Sequence, residues 1–177
     1  KFDWALEKEG YEFVRYADDF VILTKTQETA ERALDFAKEF LAKMGLTLHP
    51  EKTKISRFSG RFDFLGFTIN HNGARMQKKS IERFYEKIKD KTIRSHNLDA
   101  ETINTLNRII VGTANYFIKD FTTGYGDFRK LSEMVRRRLR SMKFKRISRH
   151  DNHKVEIKHF NNMGLKDIFK LYQANKS

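Results

Sequence analysis

From residue 80 onward the apolar residues recur at intervals of three and four, and this spacing limits the possible folds more than any other feature. Residues 80–95 place Ile81, Phe84, Tyr85, Ile88 and Thr92 on one stripe. Residues 99–118 do the same with Ile103, Leu106, Ile110, Ala114 and Phe117, and residues 127–146 with Phe128, Leu131, Val135, Leu139 and Met142. Each stripe predicts an amphipathic helix, and Ser80, Asp99 and Asp127 stand where N-caps are expected. Three such helices joined by polar loops predict a small bundle. A further short helix is expected in "MGLKDIFKLY", residues 163–172.

Before residue 77 the pattern is different. "EFVRYADDFVILT", residues 12–24, reads as two apolar strands around a polar tip, a hairpin turning at Ala17, Asp18 and Asp19. A helix follows, capped by Thr26, with Ala30, Ala33, Leu34, Ala37, Leu41 and Met44 on its apolar face, and Gly45 is placed to end it in a left-handed conformation. "LTLHPEKTKISRF" turns at His49-Pro50 and predicts a short strand near residues 53–58. "RFDFLGFTI" predicts one further strand, Phe62 and Phe64 on one face and Leu65, Phe67 and Ile69 on the other, buried on both sides. "NHNGA" predicts a turn. The fold class expected is α+β, a strand-rich part at 1–76, a helical part at 77–149 and a polar tail at 150–177.

The charge divides at the same place. Residues 1–76 hold 12 basic and 12 acidic residues, and residues 77–177 hold 24 and 11, so the second part carries the whole net charge of +13. A neutral part followed by a strongly basic one points to a polyanionic partner, although an acidic membrane surface or solubility alone would also account for it. With 39% hydrophobic residues the 177-residue chain can fill a core. The lack of cysteine excludes a disulfide framework and a thiolate metal site and suits a reducing, cytoplasmic setting. No apolar run is long enough to span a membrane, so no membrane partner is expected.

Asp18 and Asp19 admit two readings. Acidic residues at a hairpin tip commonly form a solvated turn. Here the flanking strands are almost wholly apolar, and two adjacent carboxylates repel each other unless a cation lies between them. Mg²⁺ takes hard oxygen ligands and leaves positions open for water or phosphate, and a pair of such ions suits in-line phosphoryl transfer.

Tyr16-Ala17-Asp18-Asp19 within "RYADDFVIL" resembles the catalytic hairpin of reverse transcriptases, and the Ala with a preceding Arg resembles those encoded by group II introns. "MGLTLHPEKTKI" and "FDFLGF" are similar to the next blocks of the polymerase palm in that family. "LNRIIVGTANYF" and "FRKLSEMVRRRLRSMKFKR" resemble its maturase, or thumb, domain, with Thr113 standing where a Trp is expected. The resemblance covers roughly residues 10–149 in order. It implies a partial palm followed by a basic three-helix thumb: the C-terminal portion of an RNA-directed DNA polymerase that also assists splicing. Asp18 and Asp19 would bind two Mg²⁺ ions, Mn²⁺ being an alternative, and Lys52 would approach the incoming triphosphate unless it is simply a solvated turn lysine. Phe64, Leu65 and Gly66 would lie in the primer-grip region, although Phe64 and Leu65 also read as core. Such a polymerase needs a third carboxylate and a fingers region; Asp3 and Asp63 are unsuited to supply the former. A longer polymerase is therefore expected, with this portion inactive alone.

Residues 128–149 carry ten basic residues against Glu133 alone: Arg129, Lys130, Arg136, Arg137, Arg138, Arg140, Lys143, Lys145, Arg146 and Arg149. A solvated helix face is one reading. The excess of Arg over Lys favours bidentate phosphate contacts, and the consecutive Arg136, Arg137 and Arg138 would reach RNA on two sides. The partners implied are structured RNA, a primer–template and dNTP. Two alternatives stand: an RNA-binding splicing module without polymerase activity, and a reverse transcriptase of another retroelement or defence system. "HDNH", residues 150–153, has the wrong spacing for a His-Asn-His nuclease.

Overall fold

The computed structural model describes residues 1–146 and 155–176. The chain forms two compact units, Lys1–Arg61 and Phe62–Ser177.

In the first unit α1 (Phe2–Lys8) precedes a hairpin of β1 (Glu12–Tyr16) and β2 (Asp19–Leu23), and α2 (Gln27–Lys43) follows. Helix α1 was not anticipated. It is a short helix that buries only Phe2 and Leu6, one turn apart. The two apolar strands form as expected, but they alternate: Phe13 and Ile22 pair across the ladder and, with Phe20, pack on a small core of Phe2, Leu6, Ala37 and Leu41. The other face leaves Val14 and Leu23 exposed, so the hairpin is covered on one side within its own unit. Helix α2 follows its expected face except at Met44, which is exposed at its C-cap. Thr26 accepts the Thr29 amide at 3.1 Å, Ala33, Ala37 and Leu41 are buried, and Gly45 ends the helix at φ 73°.

The strand expected at 53–58 does not form. Only Thr53 is half-buried there, and Ile55 and Phe58 are exposed. A strand needs a neighbour to satisfy its backbone groups, and among the described residues this stretch has none.

The second unit opens with β3 (Phe62–Phe64), β4 (Phe67–Asn70) and β5 (Gly73–Met76), an antiparallel meander. "RFDFLGFTI" is thus two strands, not one. Leu65 and Gly66, at φ 49° and 78°, make a two-residue turn that pairs Phe64 with Phe67 and Phe62 with Ile69. The turn expected at "NHNGA" is present between β4 and β5, where Asn70 Oδ1 accepts the Asn72 amide at 2.9 Å.

Helices α3 (Lys78–Lys91), α4 (Ala100–Phe117) and α5 (Tyr125–Lys143) follow, then α6 (Ile157–Asn162) and α7 (Ile168–Lys176). All three expected stripes face one core. Phe84, Ile88, Ile103, Leu106, Ile110, Phe128, Leu131, Val135 and Leu139 are almost wholly buried, each contributing about 1.5–3 kcal/mol by removal from water. Phe160, Ile168 and Tyr172 of α6 and α7 join the same cluster, and two short helices replace the one expected in the tail. Thr113 lies half-buried in an uninterrupted α4.

Two caps differ from expectation. Asp99 caps α4 as expected, accepting the Thr102 amide at 2.8 Å. Gln77 precedes α3, and Ser80 instead sends its hydroxyl to the Gly66 carbonyl at 3.1 Å. Gly124 precedes α5, and Asp127 in its first turn binds the Arg75 guanidinium through both oxygens, at 2.7 and 3.0 Å. In both cases a tertiary partner takes the side chain that sequence spacing assigns to the helix end.

Candidate catalytic hairpin and nucleic-acid surface

The β1–β2 connection has only two residues. Tyr16 pairs with Asp19, leaving Ala17 and Asp18 as the loop, so Asp19 belongs to the first position of β2 rather than to the turn. Ala17 adopts φ 54°, a left-handed conformation that suits tight hairpins but costs an L-residue about 1–2 kcal/mol. Arg15 holds the turn in place. Its Nη1 donates to the Ala17 carbonyl at 2.9 Å, while Nε and Nη2 grip both oxygens of Asp3 at 2.6 and 2.8 Å. The Arg15 guanidinium holds the Asp3 carboxyl below its usual range.

Asp18 and Asp19 are exposed, and neither makes an ion pair among the described residues. They form a carboxylate pair on a fixed turn, and the donor set fits a hard divalent ion with part of its shell left to water or phosphate. No group of three or more metal-ligating side chains occurs among the described residues. Two other carboxylates are already committed. Asp3 is held by Arg15, and Asp63 accepts the Thr68 hydroxyl at 2.6 Å and the Gln77 amide at 2.9 Å. Lys52 is exposed on the turn after Pro50, where its own amide and that of Thr53 bond to the His49 carbonyl at 3.2 and 2.9 Å. No hydrogen bond or ion pair joins Lys52 to Asp18 or Asp19 among the described residues.

The Phe64-Leu65-Gly66 tip is held by three hydrogen bonds from residues later in the chain. The Gly66 carbonyl accepts the Gln77 amide at 2.8 Å as well as the Ser80 hydroxyl, and the Leu65 carbonyl accepts the Tyr116 hydroxyl at 2.9 Å. A Cβ on Gly66 would lie 3.0 Å from Ser80 Oγ and 3.4 Å from the Phe117 ring.

The basic run on α5 separates into two sets. Arg136 is committed to Asp167 at 2.7 Å, with side-chain exposures of only 14% and 10%. Arg138 donates from Nε to Thr92 Oγ1 at 2.9 Å and from Nη2 to the Thr92 carbonyl, closing the end of α3. Burial lowers its pKa, and the nearby Arg94 and Arg137 lower it further. Arg140 donates to the Val155 carbonyl at 3.1 Å and lies over the Phe160 ring. The expectation that Arg136, Arg137 and Arg138 reach RNA on two sides is therefore corrected: of the three only Arg137 is exposed, and the other two are half-buried. The exposed set is Arg129, Lys130, Arg137, Lys143, Lys145 and Arg146. Arg129 lies 3.6 Å from Glu133, and Lys143 meets His159 at 3.0 Å. Lys145 donates to the His96 carbonyl, while Lys130 and Arg137 make no ion pair among the described residues. Arg149 and the "HDNH" stretch lie outside the described residues.

Sequence reasoning missed Arg15 as the hairpin's anchor and Tyr116 as the ligand of the Leu65 carbonyl. Tyr116 did leave a signal: it is an aromatic residue off the apolar stripe of its helix.

Comparison with known families gives two matches in chain order. Residues 2–69 match the model for reverse transcriptase (RNA-dependent DNA polymerase), and residues 81–160 match that for the group II intron maturase-specific domain. No curated protein matched the chain.

Proposed function

This chain belongs to the group II intron reverse transcriptase/maturases, and from that premise we propose that Asp18 and Asp19 are the metal-binding carboxylates of its polymerase. The family is one of RNA-directed DNA polymerases, which need divalent metals, and its two domains bind nucleic acid. The observation that carries the assignment is the two-residue hairpin itself, which presents both carboxylates without an internal cation on a turn fixed by Arg15 and Asp3.

Asp18 and Asp19 would hold Mg²⁺, or Mn²⁺ in its place, with the remaining protein ligand coming from palm residues beyond those described. When bound, the metal would activate the primer 3′-hydroxyl and neutralise the leaving pyrophosphate. Arg15 keeps the turn from relaxing and keeps Asp3 from competing for the ion. Lys52 is assigned to the incoming dNTP, and Phe64, Leu65 and Gly66 to the primer. The exposed α5 cations, with Arg137 and Lys130 foremost, are assigned to the phosphates of intron RNA or primer–template. Arg136, Arg138 and Arg140 support that surface by fixing α5 to its neighbours. Functionally this gives palm at 1–76, thumb at 77–149 and a tail from 150 into which the maturase match extends. The proposed RNA partner would place its action inside the cell; no helix among the described residues is long and apolar enough to cross a membrane.

Two measurements test this. In the full-length polymerase, Asp18→Asn and Asp19→Asn should each lower primer extension roughly a thousandfold or more, the equivalent of several kcal/mol of charge stabilisation. RNA affinity should be unchanged. Near-normal extension would remove both residues from the metal site. For the 177-residue chain, RNA affinity should fall steeply between low and high salt, and Lys130→Gln with Arg137→Gln should flatten the slope by about two. A salt-independent affinity would refute the phosphate assignment.

A further inference from the structure

Two aromatic rings that rest on Phe67, next to the Leu65-Gly66 tip, keep about half of their surface in solvent. Tyr116 is 50% and Phe121 57% exposed, yet both rest on Phe67, which is 8% exposed. The Tyr116 ring stacks on Phe67 at 5.9 Å, and the Phe121 ring meets it edge-on at 5.8 Å.

Neither ring is free to collapse inward. The Tyr116 hydroxyl is tied to the Leu65 carbonyl, and Phe117 supports the ring from the side at 4.7 Å. Phe121 is fixed through its backbone. Its carbonyl accepts the Ala74 amide at 3.2 Å, and Thr123 returns its amide to the Ala74 carbonyl at 2.8 Å, extending the β5 edge. Gly73 permits this approach, since a Cβ there would lie 2.7 Å from Thr123 Cγ2 and 2.9 Å from the Phe121 carbonyl. A pair of rings held rigid and left in water at such a constrained turn is costly unless something covers it.

We propose that Tyr116 and Phe121 form a stacking platform for an unpaired nucleotide of the bound nucleic acid, at a single-stranded segment or a duplex end. This rests on the nucleic-acid reading above and adds a second kind of contact to it. Charge chooses the partner. The platform lies in the half of the sequence that carries the whole +13 excess, which favours a polyanion over a neutral peptide. Every base has a π-face, so a rigid aromatic pair takes any sequence, as a template-handling surface requires. Lys119 and Lys176 are both exposed beside Phe121 in the fold, Lys176 donating to the carbonyls of Lys119 and Asp120. Lys119 itself donates to the Asn115 carbonyl at 2.7 Å, and the positive charge of the two lysines near Phe121 favours a phosphate-bearing ligand.

The test uses the 177-residue chain with single-stranded RNA containing 2-aminopurine, followed by fluorescence across a salt series. Wild type should quench the probe on binding. Tyr116→Leu with Phe121→Leu should bind roughly tenfold more weakly and lose the quench, with an unchanged salt slope because no phosphate contact is removed. Tyr116→Phe keeps the ring and should stay within about twofold. If the Tyr116 change impairs folding, as judged by thermal unfolding, Phe121→Leu alone should still weaken binding about fivefold. Unchanged affinity and quench with a steep salt slope would overturn the platform and leave the phosphate reading standing. A flat salt slope in wild type, with affinity still lost in the variants, would do the reverse. A wild-type dimer that the double change dissociates would show that a second copy covers the rings, and would also overturn the proposal.

Discussion

A methyl group at Gly66 would meet the Ser80 hydroxyl oxygen at 3.0 Å and the Phe117 ring at 3.4 Å, on a backbone at φ 78°. Gly66→Ala should therefore destabilise the second unit by about 1–3 kcal/mol, read as a lower melting temperature. An unchanged melting temperature would mean that the turn relaxes freely. Leu65 accepts the same left-handed region at φ 49° without glycine's freedom, and the Tyr116 bond to its carbonyl helps to hold it there. Ala17 is in the same position on the other hairpin, with Arg15 in the place of Tyr116. Both turns place a non-glycine residue under strain and hold its carbonyl with a side chain, Arg15 from two residues before Ala17 and Tyr116 from far along the chain. The Tyr116 anchor, and the Asp3 carboxylate that steadies Arg15, lie outside any local window. The Asp-Asp pair was legible in the sequence, but its fastening to Asp3 through Arg15 was not.

The helices separate local from tertiary control. Asp99 was legible as a cap because an N-cap needs only an amide three residues on. The Thr102 amide and hydroxyl hold the Asp99 carboxyl below its usual pKa. A depressed carboxyl stabilises the fold above its unfolded pKa near 3.9, and that stability is lost as pH falls through the folded value. Asp99→Asn keeps the capping oxygen but cannot titrate. It should melt close to wild type at pH 7 and show a shallower loss of stability below about pH 4, checked by thermal unfolding across pH. An identical acid decline in both proteins would show that the carboxylate form contributes nothing. Ser80 and Asp127 carry the same local signal as Asp99, but Gly66 and Arg75 provide stronger partners. The strand expected at 53–58 failed for a related reason: alternation marks a strand only when another strand lies beside it.

Within the second unit, a polar junction at Asp167 ties the start of α7 to α5. Asp167 accepts the Ser132 hydroxyl at 2.6 Å, Arg136 at 2.7 Å and the Phe169 amide at 2.9 Å. Removing one partner of so covered a pair leaves the other charge uncompensated. Asp167→Ala should cost about 3 kcal/mol of stability. Arg136→Met with Asp167→Leu should cost less than the sum of the single changes, giving a coupling measurable in a double-mutant cycle. Additive losses would show that the pair acts through solvent alone. The core of this unit follows the apolar stripes of α3, α4 and α5, while α6 and α7 complete it from a tail of largely polar sequence.

By itself the sequence determined the α+β class, the change from strand to helix periodicity, the core face of every long helix, the acidic hairpin and the location of the positive charge. These depend on residue type and short spacing, which the chain carries wherever it folds. Tertiary structure decided which charges remain available. It committed Arg136, Arg138 and Arg140 to internal partners, left Arg137 and Lys130 in solvent, split "RFDFLGFTI" at Leu65-Gly66, and set Tyr116 and Phe121 on Phe67. Those outcomes depend on contacts between residues up to a little over fifty positions apart, and no local spacing rule encodes such contacts.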